Sequence, residues 1–439
     1  MKSAYIVALP ILSGNAKGAI LGVVFEFFGG EDLIATIERM IGVKWKAQGP
    51  AFLVGGGHAA VHWITATIYV LLPFIRENLG LSYTEAGSII SIFHAASFAA
   101  NIGSGAVVDI TGHRVLIQVA SLLVGGTALI LVGFADGVWL LAALVVFIGL
   151  TNNLWHPAAI AYLSHAYPES RGYALSIHTL GASVGDTISP LVAGTLLLWL
   201  PWQGAASVNA LPVFAVALAL FVVLGRHEKA GRGGQSGDAG MGFRAYLSGV
   251  AETFRDRAVV GLCVMSGFRS MCQNGLLAFV PMLLNNVFGF GPVLLGAALT
   301  AKQVGGIIGG PVAGALSDKV GRRPVVVGGM AATTLVLFAF SFISSPVVVI
   351  VVLGLLGCAL FAVRPVIHGW AMDLTPNHMH GSAVSLLFGT QSAFSMLVPV
   401  AGGVVADIWG LYAVFYGLTG AMLMATALSM MLPDSRREV

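Results

Sequence analysis

This chain has few charged residues, few cysteines and no readable catalytic motif. Aspartate, glutamate, lysine and arginine make up 9% of its 439 residues, against roughly 25% in a typical soluble domain, so they cannot cover the surface of a water-soluble fold. The net charge is +3 with no basic patch, which excludes nucleic acid as a partner. Cys263, Cys272 and Cys358 all lie inside apolar runs without metal-ligand spacing. They are expected to be packing residues rather than disulfides. No nucleophile stands at a readable spacing from a base, and there is neither a phosphate-binding glycine loop nor an ATP-binding domain. An enzyme is therefore the least favoured class, and no cofactor is expected.

What fills the chain instead is apolar: 57% hydrophobic residues and a mean hydropathy of +0.89, arranged in runs of about 20 residues, the length that crosses a bilayer as a helix. Spans are predicted at residues 52–75, 86–108, 114–134, 138–161, 172–198 and 205–225, then at 258–284, 292–316, 323–344, 346–371, 381–406 and 411–433. The domain reading is an extension at 1–50, a six-span bundle at 51–225, a polar linker at 226–257, a second six-span bundle at 258–433 and a tail at 434–439. For the extension three readings stay open: an interfacial helix with Leu33, Ile34, Ile37, Met40 and Ile41 on one face, a poor signal sequence after Lys2, or a natural start at Met40. A surface helix is expected over Phe243–Phe254. Lysines and arginines gather in alternate loops (Lys44, Lys46, Arg114, Arg171, Arg226 to Arg257, Lys319 to Arg323, Arg436 and Arg437), whereas the opposite loops carry only Arg76. The positive-inside rule then puts both ends of the twelve-span body in the cytoplasm, with the chain in the inner membrane.

The two bundles share one plan. GALSDKVGRR (Gly314 to Arg323) has a weaker copy in GAVVDITGHR (Gly105 to Arg114), and Asp109 pairs with Asp318 at an offset of 209 residues. Pro73 with Pro281, His156-Pro157 with Arg364-Pro365, Pro168 with Pro376, Gly172 with Gly381 and Pro190 with Pro399 keep an offset of 208 or 209. A single offset held this far is the mark of an internal parallel repeat.

The decapeptide resembles the loop signature of the major facilitator superfamily. That resemblance implies two pseudo-symmetric six-helix bundles around one site, and a gating latch at Asp318, Arg322 and Arg323 with Asp373. Asp109 and Arg114 form its first-half copy, where His113 replaces the usual arginine and His165 stands opposite Asp373. Helices 1, 4, 7 and 10 would line the cavity, flanked by 2, 5, 8 and 11. A narrower resemblance, to the fosmidomycin-resistance-like transporters, rests on His58 with Pro73, on LSYTEAG (Leu81 to Gly87), on His156-Pro157 with Arg171-Gly172, and on Gly185 to Pro190. In that group an aspartate often stands where this chain has His62.

Ionisable residues inside spans are expensive and mark pathways. Here they are His58, His62, His94, His156, His178, Asp186, Arg269, Lys302, Arg364 and His368, and none falls inside spans 3, 6, 9 or 12. Three fixed cations against one carboxylate leave the interior positive. The expected substrate is thus a small organic anion of carboxylate or phosphonate type, held by Arg269, Lys302 and Arg364 with His62, His94, His156, Gln273 and Asn152. Asp186, with His58, His178 and His368, is the expected proton pathway. His58-x-x-x-His62 has metal-like spacing but shows no third ligand, so no metal is expected. The reading is a proton-coupled secondary active transporter, symporter or antiporter, working as a monomer by alternating access. A proton-coupled multidrug exporter is the first alternative, and a non-transporting sensor or scaffold the second.

Overall fold

The structure is a computed structural model that describes residues 38, 42–225, 256–343, 345–375 and 380–434. The interfacial helix expected within residues 31–41, apart from Glu38, lies outside the described residues. So do the linker with Phe243–Phe254, apart from Asp256 and Arg257, and the tail beyond Asp434.

Among the described residues there are twelve α-helices and no strand. They are α1 (Gly49–Asn78), α2 (Tyr83–Thr111), α3 (Arg114–Val132), α4 (Val138–Ala166), α5 (Arg171–Leu196) and α6 (Trp202–Val223), then α7 (Arg257–Asn286), α8 (Pro292–Val320), α9 (Arg322–Phe340), α10 (Pro346–Asp373), α11 (His380–Trp409) and α12 (Leu411–Met431). Local chemistry sets several ends. Ser82 and Glu85 form a reciprocal capping box at the start of α2, and Asp256 caps the backbone of Ala258 and Val259 at the start of α7. The repeated glycines Gly112 and Gly321 end α2 and α8 with φ of 67° and 102°, a region costly for a residue with a Cβ.

Nine of these helices are long and apolar enough to cross a membrane. The other three, α2, α5 and α7, are 29, 26 and 30 residues long but carry polar side chains such as His94, Asp186 and Arg269, which line the central cavity. Their polarity faces inward. On α6, α9 and α12 the reverse holds: Leu211, Leu218, Leu335 and Leu423 are exposed, an apolar belt suited to lipid.

Each half packs in the same pattern. In the first, α1 pairs with α5 and α6, α2 with α4, and α3 with α4 and α6; in the second, α7 pairs with α11 and α12, α8 with α10, and α9 with α10 and α12. The halves meet through α2 against α11 and α5 against α8. Hydrogen bonds joining them gather at one end: Asp407 to Tyr83 and Thr84, Asn286 to the Tyr83 hydroxyl, and, deeper, the Val400 amide to Ser91 and the Thr300 hydroxyl to the Thr187 carbonyl.

Candidate functional site

A cavity of about 300 Å³ lies between the halves. Its second-half wall is cationic. Arg269 of α7 and Lys302 of α8 are each only 2% exposed. Arg269 donates from Nη2 to the Leu360 carbonyl at 2.9 Å, while its Nε has no hydrogen-bond partner. Arg364 of α10 is exposed, and Gln273, one turn beyond Arg269, also lines the cavity. Among the described residues no carboxylate comes within 4 Å of any of these three cations.

The first-half wall carries the histidines. His62 Nδ1 stands 3.1 Å from Asp186 Oδ2, and both residues line the cavity. Asp186 is the one carboxylate among the lining residues. The approach of α5 to α1 depends on two glycines. A Cβ on Gly181 would lie 2.0 Å from the Gly55 carbonyl oxygen, and one on Gly185 would lie 2.2 Å from that of Ala59. Only without those side chains can Asp186 and His178 reach the α1 histidines. His94 Nε2 stands 3.3 Å from the Tyr69 hydroxyl, and Asn152 donates to Thr65 at 3.2 Å. His94 and Asn152 line the cavity as well.

His156, placed by the sequence reading among the substrate residues, does not line the cavity. Helix α4 turns it toward α1, where its ring centroid lies 4.9 Å from that of His58. His58 and His178 are buried and stack at 3.8 Å. The absence of a third ligand for the His58 and His62 pair is corrected by this geometry, since His156 brings its nitrogen within 4.8 Å of both. Spacing along one helix could not show a neighbour from another. His368 lies apart, with its ring edge against Phe388 at 5.1 Å.

At the end of the bundle away from Asp407, Arg322 donates to Asp318 at 2.5 Å, to Ser317 at 2.7 Å and to Asp373 at 3.1 Å. Arg323 donates to the Met430 carbonyl. The sequence reading made this network a latch between halves. In this conformation all its members belong to α8, α9, α10 and α12 of the second half. The side chain of Asp109 lies outside the described residues, and Arg114 is described without an acidic partner.

Several neutral lining residues escaped the sequence reading: Tyr69, Asn153, Asn274, Gln391 and Ser395. Asn274 donates to Ser395 at 2.7 Å, Asn153 to the Ser97 carbonyl at 2.6 Å, and Gln391 to Ser266 at 2.6 Å. Amides inside apolar runs were a usable signal, which the sequence reading followed only to Asn152 and Gln273, each one turn from an ionisable residue. Asp407 was missed because it lies at a span end and reads there as an ordinary loop charge.

Comparison with known proteins extends over nearly the whole chain. The model of the Major Facilitator Superfamily matches residues 54–301 and 262–439. The phosphoglycerate transporter protein of Salmonella typhimurium is 23% identical over 397 residues, 84% of each chain. The probable sulfoacetate transporter SauU of Cupriavidus necator is 24% identical over 380 residues, 82% of this chain and 88% of that one. The multidrug resistance protein MdtG of Yersinia enterocolitica is 23% identical over 394 residues, 86% and 89%. Among solved structures, a bacterial homolog of the human lysosomal transporter Spinster, inward-facing and unoccupied, aligns with a TM-score of 0.69 at 17% identity, covering 89% of this chain and 96% of that one. With two helical bundles of one packing pattern around a polar cavity, and a family model covering both, this chain belongs to the Major Facilitator Superfamily.

Proposed function

We propose that this transporter moves a small organic anion by alternating access, with proton coupling. One observation carries the reading: among the described residues the only carboxylate lining the cavity, Asp186, is engaged by His62, while Arg269, Lys302 and Arg364 have no carboxylate within 4 Å. Arg269 and Lys302 are buried, and buried cations without counter-ions are costly; a carboxylate, phosphate or sulfonate group would supply the missing charge through charge-assisted hydrogen bonds. Two relatives have anion cargoes in their names, phosphoglycerate and sulfoacetate. MdtG keeps the multidrug reading as the alternative. The polar walls favour the anion.

The substrate would bridge the halves, with Arg269 and Lys302 on one side and His94 and Asn152 on the other. Bound there, it would draw α2 and α4 toward α7 and α8 and favour closure around itself. Asp186 paired with His62 is a fit carrier for the coupled proton, because a single transfer changes the charge of the wall that faces Lys302. By the positive-inside reading the end held by Asp407 is external. The described state is then inward-facing, in a monomer of the inner membrane.

Purified protein is to be tested for thermal stabilisation by small carboxylates, phosphonates and sulfonates, with sugars and lipophilic cations alongside. Ligands of the folded state raise its apparent stability whatever the direction of transport. Stabilisation by anions, lost in Arg269→Ala and in Lys302→Ala, supports the reading. Stabilisation by lipophilic cations alone would replace it with the multidrug alternative. For coupling, Asp186→Asn should abolish accumulation driven by a pH gradient while sparing exchange, and accumulation that survives excludes Asp186 as the carrier.

A further inference from the structure

His58 and His62 of α1 and His156 of α4 each offer a ring nitrogen within 4.8 Å of the other two. On every one of these rings Nδ1 already faces an oxygen: the His178 carbonyl at 2.7 Å from His58, the Asn152 carbonyl at 2.9 Å from His156, and Asp186 Oδ2 at 3.1 Å from His62. A carbonyl only accepts, so Nδ1 of His58 and His156 carries the proton and Nε2 the lone pair; an ionised Asp186 imposes the same tautomer on His62. Proteins orient metal-binding imidazoles in this way, with an oxygen holding the far nitrogen of each ring. His58 is 6% exposed, and its Nε2 has no hydrogen-bond partner. The stacked ring of His178, at 3.8 Å, fixes the plane in which that lone pair points.

We propose that the first half binds one divalent transition-metal ion of the zinc class through Nε2 of His58, His62 and His156, with a fourth position open to the cavity. Neutral imidazoles suit Zn²⁺, Co²⁺ and Ni²⁺, whereas Mg²⁺ and Ca²⁺ need oxygen ligands. Three protein ligands with one open position make an exchangeable site rather than a closed structural one. One ring nitrogen of each histidine lies within 4.8 Å of the other two, a bound wider than the spacing of about 3.4 Å that two imidazoles keep on tetrahedral zinc. Binding would have to draw the half-buried His62 and His156 rings toward His58, which is held by the carbonyl and the stacked ring of His178. His62 lines the cavity and gives the ion its access. In this site Asp186 orients His62 and offsets part of the metal's charge. The open position, on the side where an anionic substrate would lie, can take an oxygen ligand from that substrate. The site stands on the first half's own residues and does not depend on the anion reading.

The test uses the full-length protein, freed of any histidine-rich purification tag, stripped with a chelator and titrated with Co²⁺. Four-coordinate Co²⁺ absorbs in the visible far more strongly than the six-coordinate aquo ion. The expected result is one equivalent with a four-coordinate spectrum, bleached by added Zn²⁺. His58→Asn, His62→Asn and His156→Asn should each weaken Co²⁺ binding by about tenfold or more, while His165→Gln, exposed at the end of α4, should bind as the wild type does. A weak six-coordinate spectrum in the wild type overturns the proposal without recourse to any variant, as does wild-type Co²⁺ affinity in the three substitutions. Arg269→Ala separates the two proposals: it should lose stabilisation by anions and keep the Co²⁺ spectrum.

Discussion

Asp407, near the end of α11, caps the first turn of α2 across the boundary between halves: Thr84 donates to Asp407 Oδ2 from its amide at 2.9 Å and from its hydroxyl at 2.6 Å, and the Tyr83 amide donates to Oδ1 at 2.8 Å. The first amides of a helix have no partner within it and carry its positive end, so they hold a carboxylate from the other half there. Arg76 stacks on the ring of Tyr83 at 3.9 Å and reinforces the same corner. Under the proposed alternating access this contact breaks in every cycle.

Asp407→Ala should therefore shift the conformational balance toward the state open at that end. The site is exposed, which holds the effect to about 1–2 kcal/mol, roughly a tenfold change in the ratio of conformers. Pulsed spin-label distances between the start of α2 and the end of α11 would measure it. An unchanged distance distribution would show that the clasp does not set the equilibrium.

At the same end, shape matters as much as charge. A Cβ on Gly87 would lie 2.0 Å from the Pro399 carbonyl oxygen, and one on Gly403 would lie 2.4 Å from that of Tyr83. Gly87→Leu should prevent α2 from closing on α11 and trap the opposite conformer. Transport in proteoliposomes should fall to background while the protein remains folded by circular dichroism. Transport at wild-type rate would mean that this end never closes as tightly as the structure shows.

Nine of the twelve helices were legible from long apolar runs and the other three, α2, α5 and α7, from runs interrupted by polar residues, and the repeat was legible because Pro73 and Pro281, or His156 and Arg364, keep one offset. The sorting of Arg269, Lys302, Asp186, His62 and His94 toward one cavity was legible too, since a charge in a span has nowhere else to go. Relations that depend on the rotation of one helix against another were not. His156 reads like a cavity residue until the turn of α4 puts it beside His58, and nothing in the sequence ties Asp407 to Thr84, 323 residues away. Arg322 gives the mixed case. Its local partner Asp318 is readable at i, i+4, but that the network stays within one half depends on the packing of helices.

Within the cavity, Arg269→Lys tests what the guanidinium contributes beyond charge. Arg269 already spends one nitrogen on the Leu360 carbonyl, and a lysine cannot hold that bond and face the cavity with a fork of donors. The substitution should retain a positive charge yet raise KM for the anionic substrate by about tenfold, roughly 1.4 kcal/mol, with a smaller change in maximal rate. If Arg269→Lys transports as the wild type does, the charge alone suffices and bidentate recognition is not used.

Arg322 offers the sharpest contrast between stability and turnover. Its partners Asp318 and Asp373 are exposed, with side-chain accessibilities of 67% and 38%, and exposed pairs are worth about 1 kcal/mol or less each. Arg322→Ala should thus lower the apparent melting temperature by only about 2–4 °C. The same residue joins α8, α9 and α10 at the end that, under the proposed alternating access, closes when the Asp407 end opens, and without it those helix ends should lose their common registration. Transport should fall much further than stability does, by about tenfold, and Arg322→Lys should restore only part of it, because one ammonium cannot serve Asp318, Ser317 and Asp373 with the geometry of a guanidinium. Parallel losses in melting temperature and transport would instead assign Arg322 a purely structural role.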